Sequence, residues 1–313
     1  MNFDSLLNPF FLDKKAKLAC LISGGVDSMV LLDLLCRYRA LHFFHLEALH
    51  FNFHLRGEES DRDEQFVRKE AAGRKIHLEV VDSPLKAGPG IQERAREVRR
   101  AASGTLARTK GWTHLALGHQ ADDQAETFLH RCLRGAGLRG LRGMDCESLL
   151  PGRVKLIRPL LPVSRETIKR WAETEGVSHV SDSTNDKDDY LRNRLRHHLL
   201  PRLKEAIPDF LKKVHETCLA LSFANRVVEK EVEDYLSRTG GRIKTADYLS
   251  QPQEIRFRVL RAVVEKGGYK KQFERKHFEE LESILARNRG FTREFGPAIF
   301  SHRKGFFSCG GRP

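Results

Sequence analysis

Two short stretches of this sequence combine residue types that could do chemistry. The first, Ser23-Gly24-Gly25-Val26-Asp27-Ser28, sets two glycines, two hydroxyls and one acid between an apolar run, Leu18–Ile22, and a helical apolar pattern from Met29 to Leu35. A strand, a glycine turn and a helix N-terminus point backbone N–H groups and the positive end of a helix dipole at one spot, which suits a phosphate. Gly24 and Gly25 can adopt dihedrals that a Cβ forbids and let a ligand approach the backbone. Asp27 or Ser28 fits the N-cap of the following helix. An ordinary strand-to-helix connection has the same outline, and the absence of G-x-x-x-x-G-K-[ST] excludes a Walker-type loop. The second stretch is GHQADDQAETFLHRCLRGAGLRGLRGM, Gly118 to Met144. On a helix Asp123 and Glu126 share a face, with His119 and Asp122 nearer its start. Such acids can hold an ammonium group or serve as a base, although carboxylates at a helix start are also favoured by the dipole alone. Beyond them lie Gly135, Gly137, Gly140 and Gly143 with Arg134, Arg139 and Arg142; glycines permit bending and arginines suit phosphates.

The elements that must position these residues alternate. Strand candidates are Leu18–Ile22, Phe44–Phe53, Ile76–Val81, His114–Leu117 and Val154–Ile157, and helical patterns lie near 27–40, 59–73, 91–109 and 120–133. This order predicts an α/β fold, a parallel sheet with helices on both faces. Ligands in such sheets gather beyond the carboxyl ends of the strands. The first loop, His50–Arg56 and Gly118–Asp123 all fall there, so one crevice can collect them. Leu6–Leu12 reads as a first helix packing on the domain. From Ala206 onward the pattern is mainly helical: Phe210–Ser237, Gln253–Lys266 and Arg275–Asn288, then a small strand pair around Gly296-Pro297 and Lys304-Gly305. Two domains are expected, 1–205 and 206–313. No internal repeat or low-complexity tract stands out.

Lys and Arg total 55 against 42 Asp and Glu, a net charge of +13 over 313 residues. A chain this basic often meets a polyanion. RNRLRHHLLPRLK, residues 192 to 204, contains no acid, and its Leu195, Leu199, Leu200 and Leu203 form a helical apolar stripe, so one face can grip phosphate while another enters a core. Lys270, Lys271, Arg275 and Lys276 cluster beside Phe273, which is either a stacking surface for a base or core. No run of about 18 apolar residues suggests a membrane span, and the N-terminus lacks the pattern of a secretion signal. The six cysteines, Cys20, Cys36, Cys132, Cys146, Cys218 and Cys309, form no C-x-x-C, so a zinc ribbon, an iron–sulfur site or a redox pair has no local support. The expected compartment is a reducing cytoplasm.

The first loop resembles the S-G-G-x-D-S pyrophosphate loop (PP-loop) of the N-type ATP pyrophosphatases. The second stretch resembles the G-H-x-x-D-D-Q-x-E-T…R-G-x-G-x-x-G-L motif of the tRNA(Ile)-lysidine synthases. Further pieces match that family in order. His50-Phe51-Asn52-Phe53-His54-Leu55-Arg56 resembles H-x-[ND]-H-x-L-R. Ala95-Arg96-Glu97-Val98-Arg99 resembles A-R-x-x-R, and Arg158-Pro159-Leu160-Leu161 resembles R-P-L-L. Asp182-Ser183-Thr184-Asn185 resembles D-x-[ST]-N, and Arg192 to His197 with Leu199-Leu200-Pro201 resembles R-N-x-[IVL]-R-x-x-[IL]-[IL]-P. The set covers about residues 18 to 203, and an ordered set is far more specific than any member. Phe53 stands where the family usually shows histidine, with His54 one position on, and Arg100 stands where tyrosine is common. The chain resembles the short form of the family.

The resemblance implies a Rossmann-like PP-loop domain, a smaller mainly helical tRNA-binding domain, ATP and Mg2+ as cofactors, and a two-step reaction. The wobble cytidine in the CAU anticodon of tRNA(Ile) is adenylated at C2, and free L-lysine then displaces AMP to give lysidine. It implies ATP binding by Ser23, Gly24, Gly25, Val26, Asp27 and Ser28, with Asp27 on the metal. Asp123, Glu126, Arg99 and His119 become catalytic or lysine-binding candidates. Arg56, Arg96, Arg158, Asn193, Arg194 and Arg196 become nucleotide or tRNA contacts. A homodimer is compatible with it. The competing readings are a tRNA thiolase of the same superfamily, a non-catalytic RNA-binding protein with a nucleotide fold, and a small-molecule adenylating ligase.

Overall fold

The computed structural model describes residues 4–86, 88, 90–150, 152–180, 191–268, 273, 275–287, 289–295 and 298–311. The D-x-[ST]-N match at Asp182–Asn185, Lys270, Lys271 and the Gly296-Pro297 turn lie outside the described residues. Packing divides the chain into two units, Met1–Ser222 and Phe223–Pro313.

The first unit opens with α1 (Asp4–Leu7) and a 3-10 turn, Asn8–Phe10. Leu7, Phe10 and Leu12 are buried, so this segment packs on the domain as expected. It does so as two pieces rather than one helix, because Pro9 lacks an amide N–H and Phe11 turns left-handed at φ 49°. Strands and helices then alternate: β1 (Lys17–Leu21), α2 (Val26–His42), β2 (His45–Asn52), α3 (Glu58–Gly73), β3 (Leu78–Asp82), α4 (Ile91–Lys110), β4 (His114–Ala116) and α5 (Ala121–Leu133). After a single turn, α6 (Leu138–Leu141), come β5 (Glu147–Leu150), β6 (Val154–Ile157) and α7 (Arg165–Thr174).

The six strands form one sheet in the order β3-β2-β1-β4-β6-β5. All pair in parallel except β5, which runs antiparallel to β6 at the edge. The central strand β1 is apolar from Leu18 to Leu21 because its middle is buried on both faces. Leu18 and Cys20 enter one core with Met29, Leu32 and Ile168, while Ala19 enters another with Leu49, Ala107, Trp112 and Leu115. The antiparallel edge strand was not legible in the sequence, since Glu147-Ser148-Leu149-Leu150 is short and exposes Glu147 and Leu149. The helix after the glycine turn begins at Val26 with Gly25 as N-cap, earlier than the Asp27 or Ser28 cap expected. Ser28 turns its hydroxyl back to Gly25 O (2.9 Å), so the turn closes on Gly25.

The unit finishes with α8 (Leu191–Arg194), a π-helical turn (Leu195–Leu199), α9 (Leu200–Ala206) and the start of α10 (Phe210–Thr239). Leu195 and Leu200 are buried, but Leu199 is 38% exposed. The π turn, closed by Leu200 N–H to Leu195 O, holds one residue more than an α turn, which breaks the stripe read from α periodicity.

In the second unit the rest of α10 is joined by α11 (Thr245–Leu249), α12 (Gln253–Lys266) and α13 (Arg275–Ala286). The expected strand pair is part of a four-stranded antiparallel sheet of β7 (Ile243–Lys244), β8 (Phe291–Phe295), β9 (Ala298–Arg303) and β10 (Phe306–Gly311), ordered β7-β10-β9-β8. Its own core gathers Tyr235, Tyr248, Leu260, Phe278, Phe300 and Phe307. Phe273 is 2% exposed in that core and is no stacking surface.

Candidate active site

The turn after β1 is braced by its own serines. Ser28 Oγ accepts from Ser23 N–H (3.1 Å) and donates to Gly25 O (2.9 Å), and Ser23 Oγ accepts from Gly25 N–H (3.4 Å). Gly24 sits at φ +89°, and a Cβ there would lie 2.9 Å from Val180 Cγ2, so both conformation and space call for glycine. No described residue accepts from the N–H of Gly24, Val26 or Asp27, which leaves donors at a helix N-terminus for an anion. Asp27 Oδ1 is buried and receives no hydrogen bond from a described residue. Burial first, then Asp123 and Asp122, pushes its carboxyl up to about 6 against the opposing pull of Arg165 and Arg196. An under-coordinated buried carboxylate beside open N–H donors can hold a divalent cation together with phosphate oxygens.

The second stretch meets this turn directly. Gly118, just beyond β4, lies so close that a Cβ would sit 3.1 Å from Asp27 C and O and from Ser28 N. The chain then enters α5 through a capping box: Gln120 Oε1 accepts from Asp122 N–H (2.6 Å), and Asp123 Oδ2 accepts from Gln120 N–H (3.2 Å). Asp122 is buried and accepts from Arg165 N–H (2.9 Å) and Lys204 Nζ (3.0 Å). Glu126 is 1% exposed. It holds Arg196 Nε at 2.5 Å and Arg192 Nε at 3.0 Å, and Arg196 also reaches Asp123 Oδ1 at 3.2 Å. Burial works against the charge on Arg196, yet Glu126, Asp123 and Asp27 hold its pKa above the ordinary value. The acids expected on one helical face therefore form a nook that already accommodates two guanidiniums.

A basic region adjoins it. His119 Nδ1 is buried without a described partner. Burial, followed by Arg158, Arg96, Arg192 and Arg99, lowers its pKa to about 3, so the imidazole is neutral. Arg158 reaches Asp145 O (2.7 Å). Arg99 donates to Ala95 O (3.3 Å) and lies over the Phe53 ring, 5.8 Å from its centroid. Burial first and Arg96 second depress the pKa of Arg99.

The other candidates are dispersed. Arg56 is engaged by Asp63 and, at 3.9 Å, by Glu59. Arg194 is exposed and Asn193 half-buried on α8. Arg192, Arg165 and Lys204, which neutralise the nook, and Gln124, whose amide brackets Met144 (Nε2 to O 2.9 Å, N–H to Oε1 2.8 Å), were not singled out from sequence. The acid-free run 192–204 carried the signal for Arg192 and Lys204.

Residues 1–203 match the family model described as PP-loop domain. A tRNA(Ile)-lysidine synthase from Thermotoga sp. (strain RQ2) is 32% identical over 295 residues, spanning 92% of this chain and 69% of the relative. The chain belongs to the tRNA(Ile)-lysidine synthase family of PP-loop proteins. A family member from Bacteroides thetaiotaomicron is 36% identical over 229 residues, 71% of this chain and 51% of the relative. This chain spans about half the length of several curated relatives it matches, as in that case. Among solved structures, the U34-tRNA thiolase NcsA from Methanococcus maripaludis with its [4Fe-4S] cluster has a TM-score of 0.60 at 20% identity, covering 70% of this chain and 76% of that one. At that identity the likeness is one of fold. Among the described residues no helix is long and apolar enough to cross a membrane, and no group of three His, Cys, Asp or Glu could hold a metal ion.

Proposed function

We propose that this protein is a cytoplasmic ligase that converts the wobble cytidine of the CAU anticodon of tRNA(Ile) to lysidine, using ATP, magnesium and free L-lysine. The observation that carries the reading is the contact between Gly118 and the Asp27 backbone, which sets a phosphate-binding turn and an acidic nook side by side. Family membership supports the tRNA substrate.

In the first step the cytidine O2 attacks the α-phosphorus of ATP, the bond to the bridging oxygen of the β-phosphate breaks, and pyrophosphate departs. The N–H groups of Gly24, Val26 and Asp27 stabilise the charge that develops on the phosphates, as preorganised donors do. Asp27 would hold magnesium, which supplies charge neutralisation at phosphate oxygens when bound. In the second step the lysine ε-amine attacks C2, the C2–O bond breaks, and AMP leaves. The amine sheds a proton to a carboxylate of the nook. Asp123 and Glu126 suit the ammonium group because they already stabilise guanidiniums, and the more exposed Arg192 is the partner such a group would replace. Arg99 serves the substrate carboxylate. Arg96, Arg158 and the basic face of 192–204 serve the nucleotide and tRNA phosphates. In this reading 1–205 is the catalytic domain and 206–313 a tRNA-binding domain.

The test is incorporation of labelled lysine into isoleucine tRNA with a CAU anticodon, expected only with ATP and magnesium together. Pyrophosphate release that needs no tRNA, or entry of labelled sulfur in place of lysine, overturns the reading.

A further inference from the structure

We propose that Phe53 is a positioning residue for Arg99, offering its ring as a neutral support that keeps the guanidinium available to the carboxylate of the amino-acid substrate. The inference rests on the reading above that a free amino acid is a substrate.

Arg99 projects from α4, and its Cζ lies 5.8 Å from the Phe53 centroid. Its other described contact is Nε to its own helix carbonyl, Ala95 O, at 3.3 Å. Among the described residues no carboxylate forms an ion pair with it. The distinction is chemical. A carboxylate would fix the guanidinium by occupying its N–H edge and neutralising it. A ring face attracts the same cation through its quadrupole and leaves the donor edge open.

The loop that carries the ring is fixed from several directions. Phe53 O accepts from Leu85 N–H (3.0 Å), and Phe51 stacks on the ring at 5.8 Å with 19° between planes. On one side, Asn52 is buried, with Nδ2 on Glu64 (2.9 Å) and Asp61 (3.3 Å). On the other, His54 adopts a left-handed φ of 52°, donates its N–H to Asn52 Oδ1 (3.0 Å) and sets its imidazole on Asp82 (2.8 Å). A non-glycine residue in that conformation persists only where its surroundings dictate it. The loop after β2 is thus built to hold one backbone path, and Phe53 is the side chain it presents to α4.

The experiment is steady-state lysine transfer by the full chain with tRNA, ATP and magnesium, comparing wild type, Phe53→Leu, Phe53→Tyr, Arg99→Ala and the double variant Phe53→Leu/Arg99→Ala. Losing the ring should raise KM for lysine by about 2- to 30-fold, the range that a cation–π contact of this kind is worth. KM for ATP should stay near wild type, and Phe53→Tyr should restore the lysine KM. Phe53→Leu should add nothing once Arg99 is gone, because contacts that act through one group are not additive. Phe53→Met is the second apolar variant, with the same expectation, should Phe53→Leu fail to fold. An unchanged lysine KM in either folded variant, or additive effects in the double variant, overturns the inference alone. A wild type that transfers no lysine overturns the substrate reading and this inference with it.

Discussion

A Cβ on Gly118 would lie 3.1 Å from the carbonyl carbon and oxygen of Asp27, so the turn after β4 and the turn after β1 share one wall. Backbone atoms on both sides cannot yield as a flexible side chain can. Gly118→Ala should therefore displace the phosphate turn while leaving the fold intact. Pyrophosphate release should fall by up to about 10-fold, because a shift of a few tenths of an ångström is smaller than the ångström misplacement that costs about 100-fold. Assays of release on protein with an unaltered circular dichroism spectrum check this.

Asp27 gives a pH signature of its own. Its folded pKa is about 6, above the 3.8 of an ordinary aspartate, so the stability tied to its protonated form is full below pH 4 and is lost as pH rises through 6. Asp27→Asn should raise the melting temperature of the Met1–Ser222 unit by about 2–4 °C over wild type at pH 7 without magnesium, which corresponds to roughly 1 kcal/mol in a unit of that size. The same variant should release no pyrophosphate. In the wild type, magnesium should bind more weakly as pH drops below 6, and magnesium-dependent melting curves between pH 5 and 8 read this out.

Glu126 organises cations and contributes to stability as well. Glu126→Ala leaves two guanidiniums without their shared acceptor. A fully buried pair broken in this way costs about 3–5 kcal/mol, and the partial exposure of both arginines reduces the expected loss to roughly 2–4 kcal/mol. Arg192→Ala should cost under about 1 kcal/mol, because Glu126 keeps Arg196 and the lost partner is solvent-exposed. Urea unfolding of both variants separates the two values. Asp123→Asn, by contrast, should depress lysine transfer more than adenylate formation, measured as two separate half-reactions.

His119 should remain neutral at working pH. Its pKa is lowered to about 3, so its contribution to stability is complete above about 6.5 and is lost as pH falls toward 3. Its ring resonances should not titrate between pH 8 and 5, and His119→Gln should flatten the decline of Tm on acidification. A midpoint near 6.5 in an NMR titration would exclude this arrangement.

The parallel sheet was legible because short apolar runs such as residues 18–21 alternate with longer helical patterns such as that of α2. In the second unit the amphipathic pattern of Gln253–Lys266 coincides with α12 at both ends. Long-range pairing was less accessible. The half-exposed β5 acquires its identity from β6, and the π turn at Leu195–Leu199 interrupts an apolar spacing that suits a continuous α-helix. The phosphate turn and the acid pair could be read from residue type and spacing. That two arginines already fill the nook could not, because their partners stand 66 and 70 positions away.

The bracket between Gln124 and Met144 has one more consequence. Gly143 must be glycine at φ +69°, since a Cβ would fall 2.7 Å from Gln124 Oε1. Arg131 adds a second tie, to Gly140 O and Gly143 O at 2.8 and 2.9 Å. The glycine–arginine segment following α5 is therefore a short handle riveted at both ends to one helix. Arg134 and Arg139 thus stand on a segment tied directly to the helix that carries Asp122, Asp123 and Glu126.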